Sequence, residues 1–374
     1  MTFLTSLVPA LVVLGFLIIV HEFGHFLACR LNHIKVDKFS IGFGPEIFHW
    51  QGRETRYAIS LLPLGGFVKP AGEIVSELEG GSPKAGDYLG ATVWARMIVV
   101  VAGVAMNYLF AYVLFAALFL SGRPVAGTVI GGFVEGYPAA VSGLAAGDRI
   151  VAVDASAVRT WKDLTDALDG SSGGGVRLTV ARAGREIGMD VAVREENVQD
   201  VFGHPAKVRR IGIVPNPEAV EFERHGLPGA LRAAWESTAD LTVMTHKAIY
   251  YLILGKLSVK NISGPIGIIN MTGAAAHLGL PYVLQLMAIL SISLAVINLL
   301  PVPALDGGHF LFLLVEAVTR RRVSLKVQEW LTQAGFILLL MLMAFILYND
   351  LVNIKIFEKL HDLWLRLSPI FGGR

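Results

Sequence analysis

Four stretches of this chain are apolar for long enough to cross a bilayer, over residues 3–29, 97–121, 278–304 and 330–348. Each reaches the ~20 residues that a helix needs to span the hydrocarbon core. A backbone in lipid finds no water to bond to, so each stretch is read as a helix. Composition fits several spans, since 54% of the 374 residues are hydrophobic and only 17% are charged. The first stretch lacks a basic leader and a small-x-small cleavage site, so it is read as a retained helix and not as a signal peptide.

Basic residues orient the spans. Arg30, Lys35, Lys38, Lys69, Lys84 and Arg96 lie between the first two, and Arg320, Arg321, Arg322 and Lys326 between the last two. Both loops are expected on the cytoplasmic side. Both termini and the long loop between spans two and three are then expected outside, because long domains translocate largely regardless of charge. The net charge of +2 comes with no Lys/Arg block suited to nucleic acid, so no nucleic-acid partner is expected.

Residues 1–20 carry no charged side chain, and the first span then ends in His21-Glu22-Phe23-Gly24-His25. On a helix the two His are one turn apart and face the same way. Such a pair can hold one zinc ion, with Glu22 beside it as general base toward an attacking water. The competing reading is a buried polar cluster that pairs helices. An ionisable group at the bilayer centre costs roughly 2.5–3.5 kcal/mol on insertion scales, which favours a functional reading. The single cysteine, Cys29, excludes an intramolecular disulfide and is read as packing.

With this orientation, spans one and three run in the same direction, and the end of span three reaches the depth of the His pair. That end reads Asn298-Leu299-Leu300-Pro301-Val302-Pro303-Ala304-Leu305-Asp306-Gly307-Gly308-His309. Pro301 and Pro303 bar a regular helix, and the paired glycines permit a tight turn. Asp306 is thereby delivered where two His need a third ligand, and His-His-carboxylate with one open position is a catalytic zinc set. Two other readings compete: Asp306 as a cap of the next helix, and His309 as the third ligand. Asp306 is preferred.

These two motifs, their separation and the four-span plan resemble the site-2 protease family, and within it the bacterial RseP-type regulators of intramembrane proteolysis. The resemblance implies that His21, His25 and Asp306 bind Zn2+ and that Glu22 is catalytic. It also suggests that Asn298 binds the unwound substrate backbone. In span two, Ala102-Gly103-Val104-Ala105-Met106-Asn107 departs from the family, which has proline after the glycine, and Asn107 is read as a polar link between helices.

Residues 38–69 alternate as strands about a turn at Gln51-Gly52, and are read as a Gly-rich β-hairpin at the membrane. The family likeness makes this a sheet whose edge pairs with substrate. Residues 73–87 are acidic and Gly/Pro-rich and are read as a mobile loop. Residues 124–215 become charged and strand-like, and Gly143-Leu144-Ala145-Ala146-Gly147-Asp148-Arg149-Ile150 resembles a PDZ domain, in one copy. Such a domain would bind a peptide end by strand addition or exclude large substrates. Residues 227–257 are read as a helix at the outer interface or packed on the bundle, and 354–367 as an interfacial helix.

The expected fold is an α-helical polytopic membrane protein of four transmembrane helices, with a membrane-associated β-hairpin or sheet and an inserted, mostly-β PDZ domain. Its divisions are 1–121, 122–216, 217–277 and 278–374. The expected activity is zinc-dependent intramembrane endoproteolysis of single-pass membrane proteins, such as an anti-sigma factor or remnant signal peptides. The expected location is the bacterial inner membrane, with the active site toward the cytoplasm. The alternative is a membrane-anchored PDZ scaffold with a structural or vestigial metal site. An ion transporter is disfavoured, because the spans show no inverted repeat.

Overall fold

The computed structural model describes residues 3–73, 82–199, 205–257 and 263–353. The chain divides into two compact units, Met1–Ala116 with Arg232–Leu252 and Ser258–Arg374, and Ala117–Leu231 with Ile253–Leu257.

The first unit opens with α1 (Phe3–Leu31). Two long strands follow, β1 (Val36–Gln51) and β2 (Arg56–Pro70), closed by a turn in which Gly52 N–H donates to the Thr55 carbonyl. This is the hairpin expected from sequence, but its register is folded back on itself. Phe39, Ser40 and Ile41 pair with Tyr57, Ala58 and Ile59, and also with Val68, Phe67 and Gly66. Residues 66–68 therefore form an outer strand of the sheet, and this edge passes along α1. Helix α2 (Val93–Ser121) comes next.

The second unit is mostly β. It contains β3 (Arg123–Ala126), β4 (Ile130–Phe133), β5 (Arg149–Val153), β6 (Ser156–Ala157) and α3 (Trp161–Gly170). It continues with β7 (Gly175–Arg182), β8 (Arg185–Ala192), β9 (Arg194–Gln199), β10 (Pro205–Arg210), β11 (Ile213–Pro215) and β12 (Val220–Glu223). The main sheet runs β6-β5-β7-β8. Its alternating residues Ile150, Val153, Leu178 and Val180 bury against Leu164 and Leu168 of α3. Thr160 and Asp163 close a capping box on α3, which explains why the helix starts there. Pairing of β12 with β3 carries this unit's strands beyond Pro215.

The remaining helices are α4 (Leu227–Ile253), α5 (Pro265–Leu278), α6 (Leu280–Asn298), α7 (Asp306–Thr319) and α8 (Leu325–Asn353). Among the described residues, four helices are long and apolar enough to cross a membrane: Thr5–Leu31, Val93–Ser121, Leu280–Asn298 and Lys326–Val352. The helical, multi-pass expectation holds, with one correction. The apolar pattern extends the third span to Ala304, whereas α6 stops at Asn298. Pro301 and Pro303 lack an N–H to continue the ladder, and the chain turns through Val302 and Leu305 before α7 begins. The expected helix at 354–367 lies outside the described residues, as does most of the acidic stretch at 73–87.

Candidate metal centre

Helix α1 sets His21 and His25 one turn apart, and their Nε2 atoms lie 3.2 Å from each other. Asp306, the first residue of α7, brings Oδ2 to 3.0 Å from His21 Nε2 and 3.5 Å from His25 Nε2. Ligands placed tetrahedrally at the usual zinc distance of about 2.0–2.1 Å are separated by roughly 3.3–3.4 Å. The three donor atoms therefore fit one face of a tetrahedral metal site. Asp306 Oδ2 is buried and accepts no hydrogen bond among the described residues. A buried carboxylate oxygen beside two imidazole nitrogens is costly with nothing between them, and three such donors suit a cation. The cap of α7 is Leu305, with no side-chain bond to the helix end, so Asp306 is not used as a cap.

The surroundings of this triangle come from four elements. His25 Nδ1–H donates to the Val99 carbonyl of α2 at 2.8 Å, which leaves Nε2 bare in the neutral ring. His21 Nδ1 faces the Asn107 amide, at 3.1 Å from Nδ2. Asn298, at the end of α6, has Nδ2 3.4 Å from His21 Nε2. Glu22 Oε2 accepts the Val68 N–H of the outer strand at 3.1 Å, which fixes the carboxylate on the side of the sheet.

Close helix approach makes this geometry possible. Helices α1 and α2 meet at Gly24 and Gly103. A Cβ on Gly24 would strike the Ala102 carbonyl, and one on Gly103 would strike His25 Nε2 and His21 Cε1. Far from the triangle, Arg96 of α2 and Glu316 of α7 form a buried 2.6 Å ion pair. Arg322 adds a second contact to Glu316 at 3.2 Å. The Arg96–Glu316 pair ties α7, and with it Asp306, to α2.

The structure thus gathers His21, Glu22, His25, Asp306 and Asn298. It leaves out His309, which is exposed and absent from the ligand group. Cys29 is buried with Ala28, Ile34, Val36 and Val99, as a packing residue is. Asn107 does join helices, since its carbonyl accepts from Ser291 Oγ at 2.9 Å. Its side chain, however, is turned to His21, a role that the helix-linking reading missed. A polar residue inside a span was the available signal. The Val99 carbonyl and Val68 N–H are backbone groups and leave none.

Residues 9–342 match the sequence model of the family described as "Peptidase family M50". A Mesorhizobium japonicum protein described as "Putative zinc metalloprotease" is 38% identical over 93% of this chain and 99% of its own length. Proteins with the same description from Agrobacterium fabrum and Clostridium acetobutylicum are 34% and 32% identical, over 94% and 93% of this chain and 97% of each relative. The PDZ domain of an SdrC-like protein from Listeria innocua aligns to 24% of this chain and 92% of its own, at 22% identity and TM-score 0.19. The family match extends over most of the sequence, and the chain belongs to peptidase family M50.

Proposed function

We propose, on the premise of that membership, that this protein is a zinc-dependent intramembrane endopeptidase acting on single-pass membrane proteins. The observation that carries the proposal is the convergence of His21, His25 and Asp306, whose ligand atoms lie within 4.8 Å of one another, beside Glu22 on the same turn of α1. His21, His25 and Asp306 would hold zinc, which would supply Lewis acidity toward a peptide carbonyl and an attacking water.

Glu22 is placed as the general base that takes a proton from the attacking water and passes it to the leaving amine. Its bond to Val68 N–H keeps the carboxylate facing the reacting water while the outer strand stays in place. A peptide bond inside a helix is shielded, so the substrate has to be unwound first. The 66–68 edge offers main-chain groups to an extended chain, and Asn298 offers an amide beside His21. The basic residues of the two loops support a reading with this end of α1 toward the cytoplasm of a bacterial inner membrane. The inserted β unit, with the Gly143-Leu144 to Ile150 pattern of a PDZ domain, either binds a trimmed substrate end or excludes substrates that keep a bulky outer domain. Anti-sigma factors and remnant signal peptides are substrates of the fitting kind.

The test is co-expression with a tagged single-pass reporter whose outer domain has been removed, using wild type and Glu22→Gln, with zinc assayed in each purified protein. Cleavage in wild type alone, with one zinc retained in both, is expected. Zinc in both without cleavage of any reporter would favour a membrane-anchored scaffold. Absence of zinc from wild type would sink the proposal.

A further inference from the structure

We propose that Asn107 is the positioning residue of His21, and that its buried amide lets Nε2 be offered to the metal by pairing with Nδ1 in either tautomer. The inference rests on the zinc reading above. Its starting point is an asymmetry between the two His. His25 has a fixed partner, because a backbone carbonyl only accepts and holds the proton on Nδ1 in one way. His21 instead faces a side-chain amide, which donates from one end and accepts at the other.

Asn107 is fully buried, and its Oδ1 has no hydrogen-bond partner among the described residues. Only one end of the amide is used, with Nδ2 3.1 Å from His21 Nδ1. In that arrangement Nδ2 donates to a bare Nδ1, and the neutral ring carries its proton on Nε2, next to Asp306 Oδ2. Binding a cation at Nε2 requires the other tautomer, with the proton on Nδ1. A half turn of the same amide presents Oδ1 to that proton. The buried amide therefore serves both tautomers without moving α2, whose backbone at this point is tied to α6 through Ser291. A leucine of similar size would serve neither. An aspartate would serve the Nδ1–H tautomer alone, the one that binds metal.

The experiment measures the free zinc needed for half occupancy of the purified full-length protein in a series of zinc buffers. The proteins are wild type, Asn107→Leu, Asn107→Ala, Asn107→Asp, Ser291→Ala and His21→Ala. The expected result is a requirement 10–100-fold higher in Asn107→Leu and Asn107→Ala, the range typical for loss of a partner behind a metal ligand. Asn107→Asp and Ser291→Ala should stay close to wild type. Asn107→Ala covers the case in which leucine disturbs the helix contact. Wild-type zinc binding in both Asn107→Leu and Asn107→Ala would overturn the positioning role and leave the zinc reading intact. An equal loss in Ser291→Ala would make the effect one of helix packing and also overturn it. Wild type holding no more zinc than His21→Ala would remove the zinc reading itself, and this inference with it.

Discussion

Two carboxylates with buried oxygens, one in each unit, have opposite surroundings. Asp148 in the β unit is 2% exposed, and both its oxygens are used. Oδ1 accepts from Arg182 Nε at 2.7 Å, and Oδ2 accepts from Arg182 Nη2 at 2.7 Å and from Ala145 N–H at 2.8 Å. Asp306 in the helical unit has a buried oxygen that accepts nothing, although two imidazole nitrogens stand close to it. A buried charge whose bonds are complete holds a fold together. One whose bonds are left open toward a common point implies a ligand that completes them. Burial near lipid does not explain the contrast. Asp350 on α8 is also buried and accepts three backbone N–H groups, from Gly264, Ile266 and Gly267, as a cap for α5.

The largest predicted effect breaks the open carboxylate. Asp306→Ala should abolish reporter cleavage and release zinc, yet cost the metal-free protein no more than about 1 kcal/mol, since among the described residues Oδ2 has only the imidazoles beside it to lose. Thermal unfolding in the presence of a chelator, beside a zinc assay, checks both halves. A metal-free Asp306→Ala protein that unfolds well below metal-free wild type would make Asp306 a structural group like Asp148. Next in size is Gly103→Ala. The added methyl meets both imidazoles, and displacing ligands by about 1 Å is expected to lower cleavage about 100-fold. Expression and folding should be unchanged in Gly226→Ala, an exposed site where a Cβ meets nothing, which serves as the control.

The contrast also explains what the sequence could reveal. The four spans and the hairpin were legible because long apolar runs and strand alternation have few other meanings. The pairing of His21 and His25 with Asp306 was legible because a helical repeat and a Pro-interrupted end of span three put them at one depth. The exact end of that span was not, since residues 299–305 stay apolar after α6 ends at Asn298. The double use of residues 39–41 in the sheet depends on bends that period-two patterning does not encode. Asn107 was visible as a polar residue in a span, but a helix projection alone does not tell which neighbour its side chain meets.

Asp148→Asn sharpens the other side of the comparison. It removes the charge and turns one accepting oxygen into an NH2 group, so only one side of the Arg182 fork keeps an acceptor, and charge-assisted hydrogen bonds contribute about 1.5–3 kcal/mol. Arg182 is 37% exposed, so water partly replaces what is lost and the lower end of that range is expected. Hydrogen exchange at amides 145–182, in the full-length protein, reads the local loss without depending on the helical unit.

The smallest effect is the pH dependence of the same pair. The Arg182 bonds hold the Asp148 carboxyl below its ordinary value, against the opposing push of burial. A depressed carboxyl contributes its stability in full above the unfolded value of about 3.9. That contribution fades as pH falls below it and through the lower, folded value, because the unfolded chain then takes up the proton first. Protection of amides 145–182 should therefore show no dependence on Asp148 between about pH 7 and pH 5, and should fall below about pH 4. The fall has a ceiling near 1.4 kcal/mol per pH unit for one proton. An asparagine side chain has no proton to take up, so the Asp148→Asn variant should start lower and lose less over the same acid range. Equal acid losses in the two proteins would mean that other carboxylates of the β unit carry its acid sensitivity, and that Asp148 holds the fold through bonds that do not depend on its charge.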